Sequence, residues 1–195
     1  MKRGIVVKST GSWYWVRLEE GNMVQCRIRG KFRMEGIRTT NPLAVGDEVE
    51  LEEGSEGYVI TAIGKRRNYI IRRSTNLSKE SHIIAANVDL ALLVVTVNHP
   101  VTSTVFIDRF LVSVEAYRIP VILVFNKIDA YSDDDLMLLG ALTEIYEQVG
   151  YTCLHVSSLT GEGMEDVVAA LKDKVTVFSG LSGVGKSSLI NRVEP

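Results

Sequence analysis

The chain has little of what directs a protein to a membrane, a disulfide scaffold or a structural metal. Its 195 residues include only two cysteines, Cys26 and Cys153, with no ligand-type spacing. That excludes a disulfide framework and a zinc ribbon, and reads as two reduced core thiols. Only three histidines occur, His82, His99 and His155, scattered singly and read as structural or surface residues. The longest apolar runs, Leu90–Val97 and Val121–Phe125, are far too short to span a bilayer. Met1-Lys2-Arg3-Gly4 opens directly into a strand-like pattern, with no apolar leader. A cytoplasmic protein with no membrane partner is expected. Internal repeats and low-complexity tracts are also missing.

What remains is an ordinary globular composition, 46% hydrophobic and 24% charged, sufficient for a real core. The net charge of −2 conceals a division. Residues 1–73 hold 14 Lys and Arg against 9 Asp and Glu, while residues 74–195 hold 8 against 15. Two modules are implied, the first better suited to a polyanion.

The first module reads as short strands, Gly4–Ser9, Trp13–Leu18, Met23–Arg29, Asp47–Leu51 and Tyr58–Ile63, separated by glycine-containing turns. Five strands at this spacing suggest a small barrel such as an OB-fold over residues 1–68. The charged stretch Lys65-Arg66-Arg67-Asn68 reads as a linker. From about residue 85 the rhythm changes. Val88–Val97 and Pro120–Phe125 are nearly continuous apolar runs, as in parallel strands covered on both faces. Thr152–Val156 and Lys174–Phe178 follow as strands, alternating with helical patterns at Asp108–Tyr117, Asp133–Val149 and Gly163–Lys172. Residues 69–195 therefore read as an α/β domain with a mainly parallel sheet.

Gly180-Leu181-Ser182-Gly183-Val184-Gly185-Lys186-Ser187 matches the phosphate-binding loop pattern G-x-x-x-x-G-K-[ST], with Ser188 continuing into a helix. Its glycines let several backbone N–H groups converge on one phosphate, and the helix N-terminus favours the same anion. Lys186 is placed to meet the β- and γ-phosphate oxygens, and the Ser187 hydroxyl to ligate Mg²⁺. The base is read elsewhere. Asn126-Lys127-Ile128-Asp129 follows the strand Val121–Phe125. A carboxylate at Asp129 accepts both N1–H and the 2-amino group of guanine, a pair that adenine does not offer. Asn126 is expected at the N7 edge, with the Lys127 stem along the base. Ser157-Ser158 after the next strand offers a backbone N–H to guanine O6, with Ser158 in place of the usual alanine. GTP or GDP with Mg²⁺ is the implied ligand.

Ordinary small GTPases run phosphate loop first and base motifs last. Here the order is Asn126–Asp129, then Ser157–Ser158, then Gly180–Ser188, a circular permutation of the nucleotide-binding domain. A small barrel followed by this order resembles the circularly permuted ribosome small-subunit-dependent GTPase A family. Ala86-Asn87-Val88-Asp89, Asp108-Arg109-Phe110-Leu111 and most of Gly180–Asn191 add to the likeness, which covers essentially the whole chain. The resemblance implies GTP hydrolysis stimulated by the small ribosomal subunit, in the service of that subunit's maturation, by a monomer that contacts ribosomal RNA.

The family pattern continues past the phosphate loop into an Asp-x-x-Gly motif and a zinc-binding C-terminal domain. No aspartate of this chain is followed by glycine three residues on, so a C-terminally truncated form is expected, with zinc confined to the missing domain. The alternative reading is a GTP- or RNA-binding fragment that does not hydrolyse. In the first module, Arg27, Arg29, Lys31 and Arg33 alternate, Trp13 and Trp15 share a face, and Lys65–Arg67 adds a basic cluster. Such residues suit an RNA backbone and stacked bases. A solvated basic face, with the tryptophans in the barrel core, is the bland alternative.

Overall fold

A computed structural model describes residues 1–10, 13–28, 42–54, 57–73 and 81–194. Arg29, Lys31 and Arg33 lie outside the described residues, as does the His82 side chain. The chain divides into two compact units, Met1–Val88 and Asp89–Pro195.

In the first unit, strands β1 (Lys2–Thr10), β2 (Trp13–Leu18), β3 (Met23–Ile28), β4 (Glu48–Gly54) and β5 (Gly57–Ile63) close into a barrel in the order β1-β2-β3-β5-β4. All pairings are antiparallel except β3 with β5, the arrangement of an OB-fold. Alternation fills the interior: Val6, Tyr14, Val16, Leu18, Cys26, Val49, Leu51 and Ile60 point inward and are buried. Trp13 and Trp15 fall on the other phase of β2 and stand half-exposed outside the barrel rather than in its core. Leu43 caps the cluster.

A buried ion pair seals one end of the barrel. Arg66 meets Asp47 through two 2.6 Å contacts and donates to the Pro42 carbonyl at 2.9 Å, while the Ala44 N–H donates to the same carboxylate. Arg66 is thus a structural residue, not part of a free basic cluster. Beside it the chain is pinned by paired amides. Asn68 donates to Val88 O and accepts from Val88 N, while Asn87 accepts from Arg67 N and donates to Gly46 O. The stretch read as a linker is therefore fastened, and a hairpin of β6 (Tyr69–Arg73) and β7 (Ser81–Ala86) extends this unit.

The second unit is a four-stranded parallel sheet in the order β10-β9-β8-β11, formed by β8 (Leu90–Val95), β9 (Val121–Asn126), β10 (Thr152–Val156) and β11 (Thr176–Ser179). Every residue of β8 is buried, as a central parallel strand requires. Helices α1 (Thr104–Glu115) and α2 (Asp133–Gln148) connect β8 to β9 and β9 to β10. Helix α3 (Met164–Leu171) returns the chain across the sheet to β11, and α4 (Lys186–Val193) follows. Met164 and Val167 of α3 and Leu189 of α4 pack on Leu90, Leu92, Val94, Val124 and Val156 on one face. Thr143 of α2 reaches His155, 2.7 Å away, on the other.

Helix α1 begins earlier than the apolar spacing indicates, because Ser103 caps it by accepting from Phe106 N. A capping box between Ser132 and Asp135 starts α2 behind three aspartates, where the helix dipole favours them. Among the described residues, no helix is long and apolar enough to cross a membrane.

Candidate nucleotide site

Loops leave β8, β9, β10 and β11 at the carboxyl edge of the sheet, where open parallel sheets place their ligands. The structure brings the three sequence motifs together there.

The loop from β11 to α4 is anchored by Val184, whose side chain is fully buried in the α3–α4 core. Gly185 has φ of 96°, and a Cβ there would collide with the Asn126 side-chain amide, so only glycine fits. Gly180 likewise lies against the Val94 carbonyl at φ of 143°. Leu181 packs against the core, Ser182 and Gly183 are exposed, and the Gly183 backbone lies near Pro100. Lys186 folds over the loop and donates to Gly180 O at 2.9 Å and Leu181 O at 2.7 Å. The first bond of the α4 ladder runs from Leu189 N to Gly185 O. The amides of Lys186, Ser187 and Ser188 precede it and point out of the helix end, a geometry that receives anions. The Ser187 and Ser188 side chains are exposed.

Asn126 ends β9 and is fully buried. Its Nδ2 donates to Val184 O at 2.8 Å and to Ser158 Oγ at 3.3 Å, and its Oδ1 accepts from Ser158 N at 3.0 Å. One side chain thus ties the phosphate loop to the loop after β10. Both amide protons are engaged in this brace, which differs from the base-edge contact expected of Asn126. The Ser158 N–H, expected to face the base, is likewise engaged by Asn126. Ser157 is buried and shapes its own loop, its Oγ accepting from Leu159 N and Thr160 N.

Lys127 adopts left-handed backbone geometry, with φ of 69°, and its Nζ donates to His99 O at 2.6 Å. Ile128, Asp129 and Ala130 form a single 3-10 turn. Asp129 is exposed, and its carboxylate has no hydrogen bond or ion pair among the described residues, leaving it available to a ligand with adjacent donors.

Three residues outside the motifs support the site. The Tyr131 hydroxyl links the Val97 N–H to the Asn126 carbonyl. Burial, above all, pushes the Tyr131 phenol above its ordinary pKa. Arg192, in the last turn of α4, donates to Thr160 O at 2.8 Å and holds the post-β10 loop to the phosphate-loop helix. The His99 carbonyl receives Lys127. No local sequence pattern marks these, since each makes one of its bonds across 28 or more residues of chain.

Known proteins resemble this chain in sequence and fold. The RsgA GTPase family model matches residues 63–195, and the RsgA N-terminal domain model matches residues 3–59. A small ribosomal subunit biogenesis GTPase RsgA from Bacteroides fragilis is 57% identical over 99% of this chain and 63% of its own length. One from Porphyromonas gingivalis is 55% identical over 98% of this chain and 62% of its own. The crystal structure of YjeQ from Thermotoga maritima superposes with a TM-score of 0.82 at 40% identity, covering all of this chain and 65% of that one. YloQ, described as a circularly permuted GTPase, gives 0.75 at 36% identity, over 98% of this chain and 63% of that one. The chain spans a little under two thirds of the length of these relatives. With one family model covering more than half of its residues, the chain belongs to the RsgA GTPase family.

Proposed function

We propose that the chain binds GTP and GDP with Mg²⁺ across the loops after β11, β9 and β10, and that the protein hydrolyses GTP during maturation of the small ribosomal subunit. The observation that carries this reading is the Asn126 brace, which makes one crevice of loops 32 and 58 residues apart. Phosphates sit on the outward amides at the start of α4, and Lys186 turns from two carbonyls to phosphate oxygens. Ser187, exposed beside those amides, is the chain's ligand to Mg²⁺, and the bound ion would neutralise phosphate charge. The free carboxylate of Asp129 accepts the paired donors of guanine, with Lys127 along the base and Ile128 in the same turn. Gly180–Ser188, Asn126–Asp129 and Ser157–Ser158 together form the binding half of a GTPase. Zinc has no assigned ligand here: among the described residues, no three His, Cys, Asp or Glu side chains cluster as a metal site.

The barrel supplies the ribosomal contact. On its outer face the Arg27 guanidinium lies 4.0 Å from the Trp13 ring centroid, with Trp15 beside it on β2. A cation stacked on a half-exposed indole is a platform for an unpaired base and its phosphate. This reading assigns the barrel to ribosomal RNA and the second unit to nucleotide, in a cytoplasmic, monomeric protein.

Titration of the protein with fluorescent GDP, GTP and ATP, with and without Mg²⁺, tests the nucleotide assignment. Guanine nucleotides should bind at least about a hundredfold more tightly than ATP. Equal affinities would overturn it.

A further inference from the structure

The ladder between β8 and β9 ends at Val95 and Phe125. Beyond those residues the strands part to open the crevice. Val97 on one side keeps an N–H and Asn126 on the other keeps a carbonyl, both within the protein and both in need of partners. The Tyr131 hydroxyl bridges them, accepting from Val97 N at 2.8 Å and donating to Asn126 O at 2.7 Å. The same short stretch after β8 supplies the His99 carbonyl to Lys127 Nζ. The base-reading turn is therefore fastened to residues 97–99 on both sides of Asp129. Within the turn, Ala130 N donates to Lys127 O and Tyr131 N to Ile128 O. Little slack separates the tyrosine from the carboxylate two residues before it.

We propose that Tyr131 is a positioning residue for base recognition: its hydroxyl fixes the gap between β8 and β9 and thereby the place from which Asp129 reads the 2-amino group of guanine. This rests on the nucleotide assignment above. Only a protonated phenol can accept from one backbone group and donate to the other. Burial, reinforced by the Asp135 and Asp129 charges, favours that form. Phenylalanine at this position keeps the ring and leaves two backbone groups unpaired.

The test compares GDP with inosine diphosphate, which lacks only the 2-amino group, in the wild type and in Tyr131→Phe. Circular dichroism and thermal melting monitor the fold. GDP affinity should fall about tenfold, and the preference for GDP over inosine diphosphate should fall about fivefold or more. Tyr131→His, whose one donor and one acceptor sit on different nitrogens of a shorter side chain, also loses the bridge; it should lower that preference likewise and serves if the phenylalanine variant is unstable. In an Asp129→Ala background, Tyr131→Phe should leave the GDP to inosine diphosphate ratio unchanged. A selective wild type whose ratio is unaltered in both Tyr131 variants overturns the positioning role alone. A wild type that binds GDP and ADP equally overturns the nucleotide assignment, and this inference with it.

Discussion

The side-chain amide of Asn126 donates to the carbonyl of Val184 across 2.8 Å, joining the end of β9 to the phosphate loop 58 residues later. Asn126→Ala removes this bond together with both contacts to Ser158. A buried backbone group left unpaired costs about 1–3 kcal/mol. Urea denaturation should show a loss of that order, and nucleotide titration a loss of at least about tenfold in GDP affinity. Full GDP affinity in a destabilised variant would separate the brace from the binding site.

Asp129 tests the base directly. Asp129→Asn exchanges an acceptor for a donor at an exposed carboxylate, so GTP should weaken and xanthosine triphosphate should tighten. Xanthine offers an acceptor where guanine has its amino group. Competition binding reads the exchange, and an unchanged order of preference would place the base elsewhere.

Trp13 and Arg27 form a stacked pair on the outer barrel face. Trp13→Ala should weaken binding to small ribosomal subunits by about 1–3 kcal/mol, the range for loss of one base stack. Arg27→Ala should also reduce the salt dependence of binding, because it removes a cation available to phosphate. Sedimentation with purified subunits at several salt concentrations distinguishes the two. Unaltered binding in both variants would move the contact off this face.

The Asp47–Arg66 pair makes a prediction about stability alone. Asp47→Ala strands a buried guanidinium and should cost about 3–5 kcal/mol. Asp47→Leu combined with Arg66→Met should recover most of that loss in denaturant unfolding, because no unpaired charge remains. A double variant as unstable as the single one would show that the pair contributes more than compensation of its own burial.

The two thiols, Cys26 buried and Cys153 half-buried, should hold their protons beyond the ordinary range. Burial pushes Cys26 up to about 11, and burial with the nearby Glu147 charge does the same for Cys153. Because the folded protein holds these protons more tightly than the unfolded chain, their contribution to stability is complete below about pH 9. It is lost as pH rises towards 11. Thiol-reactive dye should label Cys26 slowly in the folded protein at pH 8 and quickly in the urea-unfolded chain. Rapid labelling of Cys26 in the folded form would contradict its burial.

The elements legible in the sequence were those whose chemistry is local. Glycines at 180, 183 and 185 are dictated by the turn itself, and continuous apolar residues from Leu90 to Val95 by burial on both faces. The alternation in β2 placed Trp13 and Trp15 together, but only closure of the barrel on Tyr14, Val16 and Leu18 decided that they face outward. Arg66 reads as a surface cation because nothing nearby in sequence neutralises it; Asp47 does so from 19 residues away. The β6–β7 hairpin directly follows the charged stretch read as a linker; its strands pair with each other, and Val45 adds a single bridge to Ala85. Asn126 and Tyr131 carry their structural roles through bonds to Val184 and Val97, which no spacing rule anticipates.

Lys186 rests on the carbonyls of Gly180 and Leu181. Because each peptide unit is planar, those inward carbonyls turn the N–H groups of Leu181 and Ser182 away from the ammonium. The polarity of the loop is thus sorted in the free chain. On the proposed phosphate assignment, the Lys186 side chain can turn without a change in the loop backbone, and nucleotide association should track solvent viscosity and show no slow loop-ordering phase.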